Sequence, residues 1–190
     1  MKLQRKDLFL YAITDRSWVG EKTLAEQVEQ ALKGGITMLQ LREKDMAYEQ
    51  LKREAIELQQ LCRRYQVPFI INDYVELAKE IGADGVHVGQ SDRSVIEARK
   101  ILGPDAIIGA TAKTIEQART AQEQGADYLG SGAVFGSNTK KDAKPMEHAL
   151  LQEICESVTI PVVAIGGING RNVTELKGRG MAGVAVIGGI

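Results

Sequence analysis

Short apolar runs alternate along this chain with longer stretches in which apolar residues recur every three or four positions. The runs are Leu8–Thr14, Thr37–Leu41, Pro68–Asn72, Gly85–Val88, Ala106–Ala110, Tyr128–Ser131, Val162–Ile165 and Gly183–Ile187. Most are too uniformly apolar to carry a wet face, which predicts strands buried on both sides. Between them the period is helical. Leu24, Val28, Ala31 and Leu32 share one helix face, and Leu51, Ala55, Leu58, Cys62 and Tyr65 share the next. Val95, Ala98, Ile101 and Leu102 mark another. Ala118, Ala121 and Gln122 mark a weaker one, and Leu150, Leu151, Ile154 and Val158 one more. Strand and helix in alternation give βαβ units and a parallel sheet.

The segments GGITMLQLR, GADGVHVGQ, GADYLGSGA and GMAGVAVIGG repeat one order: glycine, small residue, apolar run, then glycine or a polar group. Glycine suits the left-handed cap that ends a helix before the next strand, and one unit recurring around a closed ring accounts for the repetition. Eight strands with seven intervening helices point to the α/β class and a (β/α)8 TIM barrel, one domain over residues 1–190. An open doubly wound sheet is the alternative, weakened by the lack of G-x-G-x-x-G after the first strand. Such a barrel ordinarily ends on an eighth helix and spans at least ~200 residues. The sequence runs out at Gly188-Gly189-Ile190, so the expected architecture lacks the last helix.

Composition narrows the partners. Of 190 residues, 44% are hydrophobic and 26% charged, with a net charge of −1, which gives no reason to expect nucleic acid or an anionic membrane. The opening MKLQRKDLFLYAITD holds too short an apolar run for a secretory core, and nothing approaches the ~20 apolar residues of a membrane helix. Cys62 and Cys155 lack metal-ligand spacing and read as reduced thiols, which favours a cytoplasmic location.

In barrels of this kind the chemistry sits at the carboxyl ends of the strands. The second run ends in Gln40-Leu41-Arg42-Glu43-Lys44, and alternation sends Gln40, Arg42 and Lys44 to one side. The third ends in Asn72-Asp73, the fourth leads to Gln90-Ser91-Asp92, and the fifth to Thr111 and Lys113. The sixth leads into Gly136, Ser137, Asn138, Thr139 and Lys140. The seventh ends in Gly166-Gly167 and the eighth in Ile187-Gly188. Singly, each has a plainer meaning. Asp73 and Asp92 could cap the helices that follow. His87 reads as a satisfied core histidine, His148 as surface, and Lys140-Lys141 as a solvated pair. Together they place carboxylates, cations, hydroxyls and glycines at one end of the barrel. Carboxylates among Arg and Lys make sense if Mg2+ bridges them to substrate phosphates. Arg42, Lys44 and Lys140 would then neutralise the remaining oxygens. Glycines after the seventh and eighth runs suit a second anion held on backbone N–H groups. The expected ligands are a diphosphate with metal and a separate monophosphate.

With YAITD, QLREK, IND, GADGVHVGQSD, GADYLGSGAVFGSNTKKDA, IPVVAIGGI and GVAVIGGI in this order, nearly the whole chain resembles the thiamine-phosphate synthase family. The resemblance implies a transferase that joins hydroxymethylpyrimidine diphosphate to hydroxyethylthiazole phosphate with Mg2+. It implies that Gln40, Arg42, Lys44, Asn72 and Lys140 contact the pyrimidine diphosphate and that Asp73 and Asp92 ligate Mg2+. It assigns Ser137, Thr139, Gly167, Ile187 and Gly188 to the thiazole phosphate, and keeps at Thr111 the hydroxyl that many relatives supply with Ser for contact with the diphosphate. Lys113 stands where those relatives carry His, Gly136 where they carry Pro, Ser137 where they carry Thr, and Gly188-Gly189 where they often carry Ser-Ala. An uncovered apolar flank beside the eighth strand would favour self-association into a homo-oligomer. Two other readings stay open: a thiazole tautomerase, which would need His at position 113, and a non-catalytic phosphometabolite-binding paralogue.

Overall fold

A computed structural model of the chain describes residues 2–90, 93–136 and 145–188, the Trp18 side chain apart. Eight parallel strands close into one barrel: β1 (Leu10–Ile13), β2 (Met38–Leu41), β3 (Phe69–Asn72), β4 (Gly85–Val88), β5 (Ile107–Thr111), β6 (Tyr128–Gly132), β7 (Val162–Ile165) and β8 (Gly183–Val186). Each pairs in parallel with the next, and β8 returns to β1 with Ala12 opposite Val186. The six α-helices of the described residues are α1 (Leu24–Lys33), α2 (Tyr48–Tyr65), α3 (Val75–Ile81), α4 (Val95–Leu102), α5 (Ile115–Glu123) and α6 (His148–Ser157).

The expected seventh helix is a correction. Between β7 and β8 lies a four-residue 3-10 turn, Val173–Leu176, in place of an α-helix. The segment offers only Val173 and Leu176 as apolar anchors before Gly178 and Gly180, both at positive φ, end it. A single turn fixes too few hydrogen bonds to propagate.

The pleat sorts the side chains into two cores. Ala12, Leu39, Leu41, Phe69, Ile71, Val86, Val88, Ile108, Ala110 and Leu129 point outward and pack under the helices. Tyr11, Ile13, Met38, Ile70, Ile107, Tyr128, Val163 and Ala185 point inward and fill the barrel. This is why the strands read as continuous apolar runs: both faces are dry. The repeated sequence unit has its cause here too, because Gly35, Gly82, Gly125 and Gly180 all have φ between 63° and 93° at the turn into the next strand. Cys62 and Cys155 are free thiols, and burial pushes Cys62 up to about 12. His148, expected on the surface, is half-buried, its ring edge-on to Phe135 at 5.0 Å. No described helix is long and apolar enough to cross a membrane.

Asp73 does not occupy a helix N-cap. The cap of α4 is Ser94, whose hydroxyl accepts from Glu97 N at 3.2 Å while the Glu97 carboxylate accepts from Ser94 N at 3.0 Å. The cap position of α3 is Tyr74, one residue past Asp73. Ser94→Ala breaks the reciprocal pair, and urea unfolding should register a loss of about 1 kcal/mol.

Candidate active site

The carboxyl-terminal mouth of the barrel opens over a central cavity of about 140 Å3, lined by Tyr11, Gln40, Arg42, Asn72, His87 and Thr111 from β1 to β5. The opposite wall, from β6 to β8, is Gly130, Gly132, Val163, Ile165, Ala185 and Ile187. A shallower cleft of about 380 Å3 adjoins it at the rim. Arg42, Asn72, His87, Thr111 and Lys113 line both, and Lys44 and Asp73 line the cleft.

Strand parity places the cations. Gln40 and Arg42 follow Met38 inward, while Leu41 goes out to the helix layer. Thr14 locks the strand end, its backbone N donating to Gln40 O at 3.0 Å and its hydroxyl accepting from Arg42 N at 2.9 Å. Glu43 meets Arg16, whose Nε lies 2.9 Å from the carboxylate and whose guanidinium also grips Glu54. Burial pushes the Glu43 carboxyl above the usual range, against the pull of Arg16.

Asp73 stands at the end of β3 with φ 63°, in the left-handed region. Its backbone is held at both ends, N donating to His87 O at 3.0 Å and O accepting from Val75 N at 3.0 Å. Asn72 Nδ2 donates to Asp73 Oδ2 at 2.6 Å. A left-handed non-glycine residue is uncommon, and such residues concentrate at functional sites. The hard carboxylate oxygens of Asp73, beside Arg42 and Lys44, fit a divalent cation shared with a phosphate-bearing ligand.

At β7 the turn is built of two glycines. Gly166 and Gly167 have φ of 101° and 66°, and a Cβ on Gly166 would lie 2.4 Å from that of Ala133. Asn172 Nδ2 donates to Gly167 O at 2.9 Å, which fixes that peptide's orientation. Ile187 lines the central cavity, and Gly188 follows it at the rim.

The mouth thus gathers Gln40, Arg42, Lys44, Asn72, Asp73 and Thr111 around two connected spaces, with Gly167, Ile187 and Gly188 at the ends of β7 and β8. Asp92, Ser137, Thr139 and Lys140 lie outside the described residues. Two lining residues were not among the sequence candidates, Tyr11 and His87, and the Tyr128 hydroxyl is hydrogen-bonded to both. Parity carried a signal for each. Tyr11 is two residues before inward Ile13, His87 two after Gly85, and Tyr128 two before Gly130. His87 is satisfied, as its place in a strand suggests, with both ring nitrogens within 3.1 Å of a hydroxyl.

A sequence model described as thiamine monophosphate synthase matches residues 10–190. The chain belongs to this family. The thiamine-phosphate synthase of Ruminiclostridium cellulolyticum is 47% identical over 184 residues, covering 97% of this chain and 88% of that protein. That of Clostridium acetobutylicum is 45% identical over 188 residues, with 99% and 89% covered. Among solved structures, thiamine phosphate pyrophosphorylase from Pyrococcus furiosus superposes with a TM-score of 0.88 at 42% identity, covering 96% of this chain and 87% of that one.

Proposed function

We propose that this chain is a thiamine-phosphate synthase that joins hydroxymethylpyrimidine diphosphate to hydroxyethylthiazole phosphate, releasing diphosphate, in the cytoplasm and with Mg2+. What carries the reading is one mouth that sets the Asp73 carboxylate among Arg42, Lys44 and Lys113, in a chain of this family.

The bond from the pyrimidine methylene carbon to the diphosphate oxygen breaks, and both electrons leave with the diphosphate. The thiazole nitrogen gives its lone pair to the methylene carbon, so no proton need be removed. Arg42, Lys44, Lys113 and Lys140 bind the oxygens on which charge builds, and Asn72 adds an amide donor. Asp73 and Asp92 would hold Mg2+, which supplies neutralisation of the diphosphate oxygens when bound. Gln40 meets the pyrimidine ring, and the Thr111 hydroxyl, which lines both the cavity and the cleft, serves the ring as well as the diphosphate. Ile165, Val163 and Ile187 give the cavity a dry wall, which keeps water from capturing the cationic carbon. Ser137, Thr139 and the backbone at Gly167, Ile187 and Gly188 receive the thiazole phosphate.

The test is synthesis by the purified chain from the two substrates with Mg2+, followed as the fluorescent oxidation product of thiamine phosphate. The expected result is product that disappears with EDTA and returns with excess Mg2+. A folded chain that makes none overturns the reading, and product indifferent to EDTA removes the metal from it.

A further inference from the structure

Barrels of this type ordinarily fill their interior with branched aliphatic side chains. Here two phenols and an imidazole stand in the middle and are joined end to end. Gln40 Nε2 donates to Tyr11 Oη over 2.6 Å, and the Tyr11 and Tyr128 hydroxyls are 2.7 Å apart. Tyr128 Oη lies 3.0 Å from His87 Nδ1, and His87 Nε2 lies 3.1 Å from Thr111 Oγ1. The backbone leaves room for the rings. A Cβ on Gly109 would fall 2.1 Å from Tyr128 Cζ, and one on Gly130 would fall 3.2 Å from His87 Cε1.

Counting hydrogens gives all of these bonds one sense, and the Gln40 amide, donating to Tyr11, sets which sense it is. Each phenol has one to give, and burial raises both phenols, so both keep it. With Gln40 donating to Tyr11, the Tyr11 hydrogen goes to Tyr128 and the Tyr128 hydrogen to His87 Nδ1. His87 then carries its proton on Nε2 and gives it to Thr111. Thr111 keeps its own hydrogen for the cavity, and Gln40 keeps its carbonyl oxygen. Reversing any one bond reverses all of them or strands a buried hydrogen without an acceptor.

We propose that Tyr11, Tyr128 and His87 are positioning residues: a one-way hydrogen-bond chain across the barrel core that couples what Gln40 presents on β2 to what Thr111 presents on β5. The site then selects a ring that offers a donor to Gln40 Oε1 and an acceptor to the Thr111 hydroxyl. That the ring is the aminopyrimidine rests on the proposed function; the polarity of the chain does not.

Two measurements test it, and the first needs no activity. The sequence has two histidines, so His148→Gln leaves His87 as the sole imidazole. The nitrogen-15 spectrum of its ring at neutral pH should show the tautomer protonated at Nε2. Tyr128→Phe in that background should give a mixture. A ring protonated at Nδ1, or at both nitrogens, overturns the proposal. In the second, Tyr128→Phe should lower kcat/KM for the pyrimidine diphosphate about tenfold, equivalent to about 1.4 kcal/mol, while KM for the thiazole phosphate stays as in wild type. Unchanged kcat/KM for the pyrimidine diphosphate overturns it as well. A wild-type chain that makes no thiamine phosphate defeats the proposed function instead, and the ring spectrum still decides the polarity.

Discussion

Asp73→Asn should lower kcat about 100-fold or more at ordinary Mg2+ while leaving the fold in place. The magnitude is that of removing one preorganised electrostatic contact from a site where charge develops. The variant separates charge from shape. Asn is nearly isosteric with Asp and is among the few side chains that tolerate the left-handed region, which Asp73 occupies at φ 63°. The backbone bonds to His87 and Val75 remain, so the melting temperature should hold. Raising Mg2+ should recover part of the lost rate, because a ligand has been weakened and the remaining donors persist. Asp73→Ala should lose both activity and stability, since a left-handed alanine carries a cost of roughly 1 kcal/mol. Rates measured for both variants across a Mg2+ titration check this. Wild-type turnover in Asp73→Asn would sink the metal assignment.

Gly109→Ala should unfold or nearly unfold the protein, a loss of about 4 kcal/mol or more. The added methyl would lie 2.1 Å from Cζ and 2.4 Å from Cε1 of Tyr128, a ring with no exposed surface. The ring cannot swing aside, because its hydroxyl is held from two sides by Tyr11 and His87. The clash is with a side chain, so it can be relieved. Gly109→Ala combined with Tyr128→Leu should recover much of the lost stability in urea unfolding, by non-additivity between touching sites. It should recover little of the activity, because the link to His87 is gone. Gly85→Ala offers a contrast. Its Cβ would lie 1.9 Å from the Ile107 carbonyl oxygen, a clash with the neighbouring strand's backbone that no single side-chain change removes.

The barrel was legible because its physics is periodic. Strands dry on both faces leave unbroken apolar runs, and each return into the sheet needs a left-handed glycine, so both signals recur. The region before β8 broke the period, and there the expected helix is a 3-10 turn. Parity along β2 correctly sent Gln40 and Arg42 to the cavity and Leu41 to the helix layer. Applied to Tyr11 and Tyr128 it would have brought both into the interior, but an aromatic residue in a buried strand reads first as core packing. Their hydroxyl partners are 117 positions apart in the chain, a separation no local pattern encodes. Asp73 could have been a cap on sequence grounds. Only its dihedral and the cap at Tyr74 set that reading aside.

The central cavity has two unlike walls. Amide, guanidinium, imidazole and hydroxyl groups line one side, and glycine, valine and isoleucine line the other. Such a space orients a flat ligand without gripping it tightly. A ring with one hydrogen-bonding edge and one methyl-bearing edge loses contact on both sides when it enters reversed, so the mismatch is counted twice. The two walls together thus favour one orientation of such a ring over its reverse.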